Sequence, residues 1–251
     1  MAANGLLRCA LLACGLLLTA ACSAHNDSAA TAATGVASTV AAAAAAAATS
    51  APDVATHFTK GVEYVDLQLP TGQAAPTGPV EVVEVFSYGC PHCAHFAPYM
   101  DKLRAELPKD VEVRYMPAIF SAAWVPYARA FYAARQLGVL EQTHDKVFKA
   151  MLAHYPLNSL EDLANFYARQ GVDKQKFLAA ANNAETTREM TADQRAEMQW
   201  GVDLTPMLVV GRRANAGKDA PFVALMRSAE IHSHEQLQQL GLWMVQRVEK
   251  H

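Results

Sequence analysis

Cysteine is nearly absent from the part of this chain that can fold. The 251 residues contain five cysteines, and three of them (Cys9, Cys14 and Cys22) fall within the first 22 positions. Only Cys90 and Cys93 remain, two residues apart. A structural zinc site needs four ligands, commonly two such pairs or a Cys pair with a His pair, so no metal site is expected. A purely structural disulfide is a poor reading as well, because closing so short a loop removes little chain entropy. Lys/Arg clusters are missing too, and the net charge is −3, which argues against nucleic acid as a partner. Long apolar runs are lacking. The stretch Cys9–Ala21 behind the single charge of Arg8 is too short to span a membrane and reads as the core of a signal peptide over residues 1–21.

Large apolar side chains are scarce in the next segment. Within residues 22–56, positions 29–51 are nearly all Ala, Ser and Thr, with eight consecutive alanines at Ala41–Ala48. Such a segment has no apolar face to bury and is expected to be a low-complexity tether. At its start, Leu18-Thr19-Ala20-Ala21-Cys22-Ser23 looks like a bacterial lipoprotein processing site, although Thr19 stands where leucine is usual. Cys22 is therefore a lipidation candidate, the alternative being ordinary cleavage nearby.

The remaining residues carry an α/β pattern. Val80–Phe86 is a β-branched run suited to a buried strand. Ser87-Tyr88-Gly89 breaks it, and Cys90 opens a helix expected to reach about Glu106, with Pro91 at the first helical position and Pro98 as a kink. Val111–Met116 reads as a second strand, giving β–α–β with the cysteines at the carboxyl end of a strand and the amino end of a helix. Reaction sites of open α/β sheets lie in such a place. From Trp124 to Trp200 the pattern is helical throughout, with Ser159 and Asp162 as a capping box. Strand character returns at Met207–Val210, and a last helix begins near Ser233. Arg212 to His232 carries no clear strand.

The chemistry follows from the position of Cys90. A thiolate is the attacking species, and the unsatisfied N–H groups and positive dipole end of a helix N-terminus favour it. Cys90 is the expected nucleophile and Cys93, one turn in, the expected resolving thiol. His92, inside the motif, can add a charge or a hydrogen bond to tune the thiolate.

Glu84-Val85-Phe86-Ser87-Tyr88-Gly89-Cys90-Pro91-His92-Cys93 closely resembles the active-site segment of the DsbA family of bacterial periplasmic thiol:disulfide interchange proteins. The helical interruption and the later Thr205-Pro206 resemble it too. The resemblance implies a thioredoxin fold, residues 57–123 and 201–251, interrupted by a helical insertion over 124–200. It implies that Pro91 and His92 tune the pair, that Pro206 is a cis-proline with Thr205 offering its backbone to substrate, and that Glu84 is a buried acid serving Cys93 in proton transfer. The expected function is donation of the Cys90–Cys93 disulfide to newly exported or unfolded cysteine-containing proteins, with no other cofactor. A DsbB-like quinone-linked membrane partner would reoxidise a monomeric enzyme in the periplasm, anchored if Cys22 is lipidated. The alternatives are a disulfide isomerase or reductase using the same cysteines, and a copper-binding module using Cys90, Cys93 and His95. His232 and His234 are assigned no role.

Overall fold

The computed structural model describes residues 57–67, 78–213, 223–227 and 231–250; the segments read from the sequence as signal peptide (1–21) and tether (22–56), with Cys22, lie outside these residues. In chain order the elements are β1 (Tyr64–Asp66), β2 (Val80–Phe86), α1 (Pro91–Glu106) and β3 (Glu112–Pro117). A 3₁₀ turn (Ala122–Trp124) leads into α2 (Val125–Gln136), α3 (Leu140–Leu152), α4 (Leu160–Arg169), α5 (Lys174–Ala181) and α6 (Ala184–Trp200). The chain closes with β4 (Met207–Arg212), β5 (Val223–Arg227) and α7 (His234–Glu249).

One sheet of order β1-β5-β4-β2-β3 carries the fold. β2 runs parallel to β3 and antiparallel to β4, so all seven β2 residues are buried. Alternation along β2 then separates two apolar layers. Val80 and Val82 meet Phe96, Met100 and Leu103 of α1 and Leu237, Leu240 and Met244 of α7. Val83 and Val85 face the opposite way, with Met207 and Val209 of β4 and Ala196 and Trp200 of α6. The helices α2–α5 build a third cluster around Phe131, Tyr132, Leu163 and Phe177, and Phe86, Tyr88, Cys90 and Cys93 belong to it.

Local signals set the helix ends. Ser159 and Asp162 form the reciprocal capping box of α4, and Asp173 caps α5 by accepting from the Lys176 N–H. Gly138, Gly171 and Gly201 take positive φ at the ends of α2, α4 and α6, as helix-terminating glycines do. α1 runs through Pro98 as a single helix.

The 212–232 segment differs from its sequence reading. β5 lies there, paired with β4 (Val209↔Met226) and with β1 (Tyr64↔Arg227). Its five residues include Ala224 and Met226 beside only one β-branched side chain, so the propensity signal is weak and pairing on both sides decides the outcome. The three-residue β1 is too short to give a sequence signal and depends on the same pairing.

Gly241 shows how tightly α7 sits. A Cβ there would come within 2.9 Å of Leu103 Cδ2 and 3.0 Å of Leu208 Cδ1, both on fully buried side chains. Gly241→Val is therefore expected to lower stability by about 1–3 kcal/mol through overpacking. The check is a denaturant melt in which the midpoint falls with the slope unchanged.

Candidate active site

Cys90 ends the Ser87-Tyr88-Gly89 turn and caps α1 from an extended conformation (φ −102°, ψ 112°), with Pro91 in the first turn. Its backbone N–H donates to the Ser87 carbonyl at 3.0 Å, which fixes the turn. Its Sγ then lies against the open N–H groups of the helix and accepts from the Cys93 N–H at 3.4 Å. On its other side the Thr205 carbonyl oxygen is 3.6 Å from Sγ. The Thr205–Pro206 peptide is cis, and Pro206 is buried at the amino end of β4. Cys90, Cys93, Thr205 and Pro206 are thus brought together at one end of the sheet, beyond the carboxyl end of β2 and the amino end of β4, and both cysteines are present as free thiols.

The two sulfurs differ in acidity. A hydrogen bond from the Cys93 side chain does most to pull Cys90 down, to about 6; burial opposes it, and Thr205 and the backbone N–H groups of Cys93 and His92 assist. Cys93, with 0% of its surface exposed, is pushed up by burial, by its bond to Cys90, and by the charges of Cys90 and Glu84. At neutral pH one thiolate is therefore held on the outer sulfur.

Glu84 lies on a central strand, paired with Tyr115 of β3 and Leu208 of β4, so it is no edge residue. Burial raises its pKa to about 8, Cys90 adds to this, and Arg104 opposes. Its Oε1 has no hydrogen-bond partner. A carboxyl titrating in this range can give or take a proton near neutrality.

His92 is placed differently from its sequence reading. The imidazole is exposed, and the group that favours the Cys90 thiolate is the His92 backbone N–H. A residue at the second helical position points its side chain outward while its N–H faces the cap. His95 is exposed and its ring neighbours His234, centroids 6.4 Å apart. Among the described residues no group of three or more His, Cys, Asp or Glu side chains converges as metal ligands would.

Three supporting residues carry no sequence signal. Tyr88 Oη and His144 Nδ1 are hydrogen-bonded at 2.8 Å in a buried aromatic cluster with Phe86 and Phe148. Burial holds His144 near 3, and it is neutral. Gly89 admits no side chain, because a Cβ would approach Tyr127 Cε2 at 2.8 Å and Trp124 Nε1 at 3.1 Å. A tyrosine or glycine in a turn and a histidine within a helix say nothing locally of such distant contacts.

Known proteins resemble this chain in sequence and fold. A family model described as thioredoxin matches residues 72–221. The thiol:disulfide interchange protein DsbA of Pseudomonas aeruginosa is 37% identical over 157 residues, 62% of this chain and 74% of that protein. The protein of that name from Burkholderia cepacia is 31% identical over 160 residues, 62% of this chain and 74% of its own length. Among solved structures, Pseudomonas aeruginosa DsbA superposes with a TM-score of 0.65 at 30% identity, covering 77% of this chain and 95% of that one. The oxidoreductase DsbA from Xylella fastidiosa gives a TM-score of 0.65 at 31% identity, covering 77% and 98%.

The ranking of causes at Cys90 is open to test. Cys93→Ala should raise the Cys90 pKa from about 6 toward an ordinary thiol, and His92→Ala should move it less. Thiolate absorbance or alkylation rate against pH reads both. A larger shift in His92→Ala would return the main role to the imidazole.

Proposed function

The chain belongs to the DsbA family of thiol:disulfide oxidoreductases with a thioredoxin fold, and from that premise we propose that it oxidises exported proteins with its Cys90–Cys93 disulfide. The observation that carries the reading is the asymmetry of the pair: an acidic sulfur capping α1 beside the Thr205 carbonyl, and a buried, weakly acidic one behind it.

That asymmetry dictates the steps. A client thiolate attacks Cys90 Sγ, the Cys90–Cys93 bond breaks, and Cys93 leaves as a thiolate that takes a proton from Glu84. The client is now joined to Cys90 in a mixed disulfide. A second client thiolate attacks the client sulfur of that bond, and Cys90 departs as the better leaving group because its thiolate is the more stable. The client gains a disulfide, and the enzyme is left as the dithiol. Glu84 suits its part because its carboxyl releases a proton near pH 8, below the range of the buried Cys93. Thr205 and Pro206 line the end of the sheet where client backbone would lie, and Pro91 starts the helix whose N–H groups hold the thiolate.

A DsbB-like membrane partner would return the dithiol to the disulfide. The reading places the protein in the periplasm as a monomer, reached through the 1–21 leader. If Cys22 is lipidated, the tether would let a membrane-anchored enzyme reach its clients.

Division of labour between the sulfurs gives a direct test. Cys90→Ser should abolish oxidation of a reduced, unfolded client, whereas Cys93→Ser should accumulate mixed disulfides through Cys90. Adducts forming on Cys93 in the Cys90→Ser protein would reverse the assignment.

Direction of transfer has its own test. The folded pKa of Cys90 is depressed to about 6, so its thiolate stabilises the reduced native state fully above the ordinary thiol value. That stability falls as pH drops from about 9 and is gone below about 6. Glu84 is present in both redox forms and largely cancels in their difference. The reduced protein should then outlast the oxidised one in denaturant at pH 7, on the order of 1 kcal/mol from this source. The gap should widen at pH 9 and close by pH 5. An oxidised form at least as stable at pH 7 would favour a reductase.

A further inference from the structure

A cavity of about 390 Å³ lies between α6 and the segment leaving β3, in the size range of a ligand site. Ile119 and Phe120 line it from the segment after β3, Arg195, Glu197 and Met198 from α6, and Val202 from the chain just after α6. Its rim is unusually apolar for a surface. Met198 is 75% exposed and Phe120 42%, two of the four large apolar side chains exposed among the described residues.

Its floor is polar. Glu197 is only 5% exposed, and its Oε1 is buried without a hydrogen-bond partner. Burial is the main reason its pKa rises to about 8, with Asp193 adding to it and the Ile119 backbone N–H opposing. The Ile119 N–H serves the other carboxylate oxygen, and Oε1 is left as a buried acceptor on the wall of an apolar slot, free to take a hydrogen bond from a donor.

The slot is linked to the reacting sulfur by two routes, one along the chain and one through packed rings. Val202 stands three residues before Thr205, whose carbonyl is 3.6 Å from Cys90 Sγ. Phe120 stacks on Trp124 at 5.4 Å, and Trp124 Nε1 would lie 3.1 Å from a Cβ on Gly89, the neighbour of Cys90. Three extended residues span about 10 Å, which sets the spacing between a client cysteine and a side chain that would probe the slot.

Resting on the oxidase reading above, we propose that this slot is a client subsite for an aromatic side chain with a hydrogen-bond donor at its tip, tyrosine or tryptophan. Phe120 supplies ring packing, Met198 a sulfur contact and Arg195 a cation for the ring face, and the phenol or indole donor reaches Glu197 Oε1. A lysine of the same reach would meet the Arg195 charge. A phenylalanine would leave the acceptor unpaired.

The experiment uses the oxidised full-length protein and single-cysteine peptides with Tyr, Trp, Phe, Lys or Ala three positions before or after the cysteine. Rates of disulfide reduction come from acid quench, alkylation and mass. In the wild-type protein Tyr and Trp should exceed Phe about fivefold on one side of the cysteine, the gain expected of one neutral hydrogen bond. Glu197→Ala should erase that gap, and Glu197→Gln, which keeps a carbonyl acceptor, should preserve it. Met198→Ser should slow the three aromatic peptides together and leave the alanine peptide unchanged. Equal rates for Tyr and Phe, or a preference for Lys, would overturn the subsite while leaving the oxidase reading intact. Failure to oxidise even the alanine peptide would remove both.

Discussion

The contact between the two cysteines is what the rest of the site depends on. Cys93 gives both its N–H and its thiol to Cys90, and the larger effect is that of the thiol. This makes the pair self-tuning, since the sulfur that must stay protonated is the donor that keeps its neighbour ionised. Burial enforces the division. Cys93 lies in the same apolar cluster as the helical block, where ionisation would be penalised, while Cys90 ends at the open N-terminus of α1.

Holding one charge in place takes several otherwise ordinary residues. Gly89 lets Tyr127 and Trp124 close on the turn, and the Tyr88–His144 bond fixes the residue beside it. β2 sits between two partner strands, so Glu84 cannot reach water by fraying. Its lone unpartnered oxygen is a cost the fold carries at this point, as functional sites often do.

Much of this is legible in the sequence because the signals are local. The β-branched run, the Pro91 start, the Ser159–Asp162 box and the glycines after α2 and α4 each act within a few residues, and the structure has them at the expected positions. The cysteine pair and Thr205-Pro206 are legible through resemblance to a family. What is not legible depends on distant partners. β5 is specified by the strands beside it, His144 by a tyrosine 56 positions away, and Gly89 by the aromatic residues of the α2 region. The role of His92 is hidden for a related reason, since spacing places the residue near the sulfur without saying which of its groups turns inward.

The helical block is joined to the sheet at its most sensitive end. The chain departs after β3, where the Ala118 N–H is bonded to the Phe86 carbonyl at 2.7 Å, and it returns through Thr205 beside the Cys90 sulfur. One attachment point is thus tied to the last residue of β2, four positions before Cys90, and the other lies against the sulfur itself. The block is therefore spliced into the sheet at the end where the reaction takes place, while α6 is also seated along one sheet face through Ala196 and Trp200. The same chain crossing that inserts the helices also delivers the carbonyl that meets the reacting sulfur.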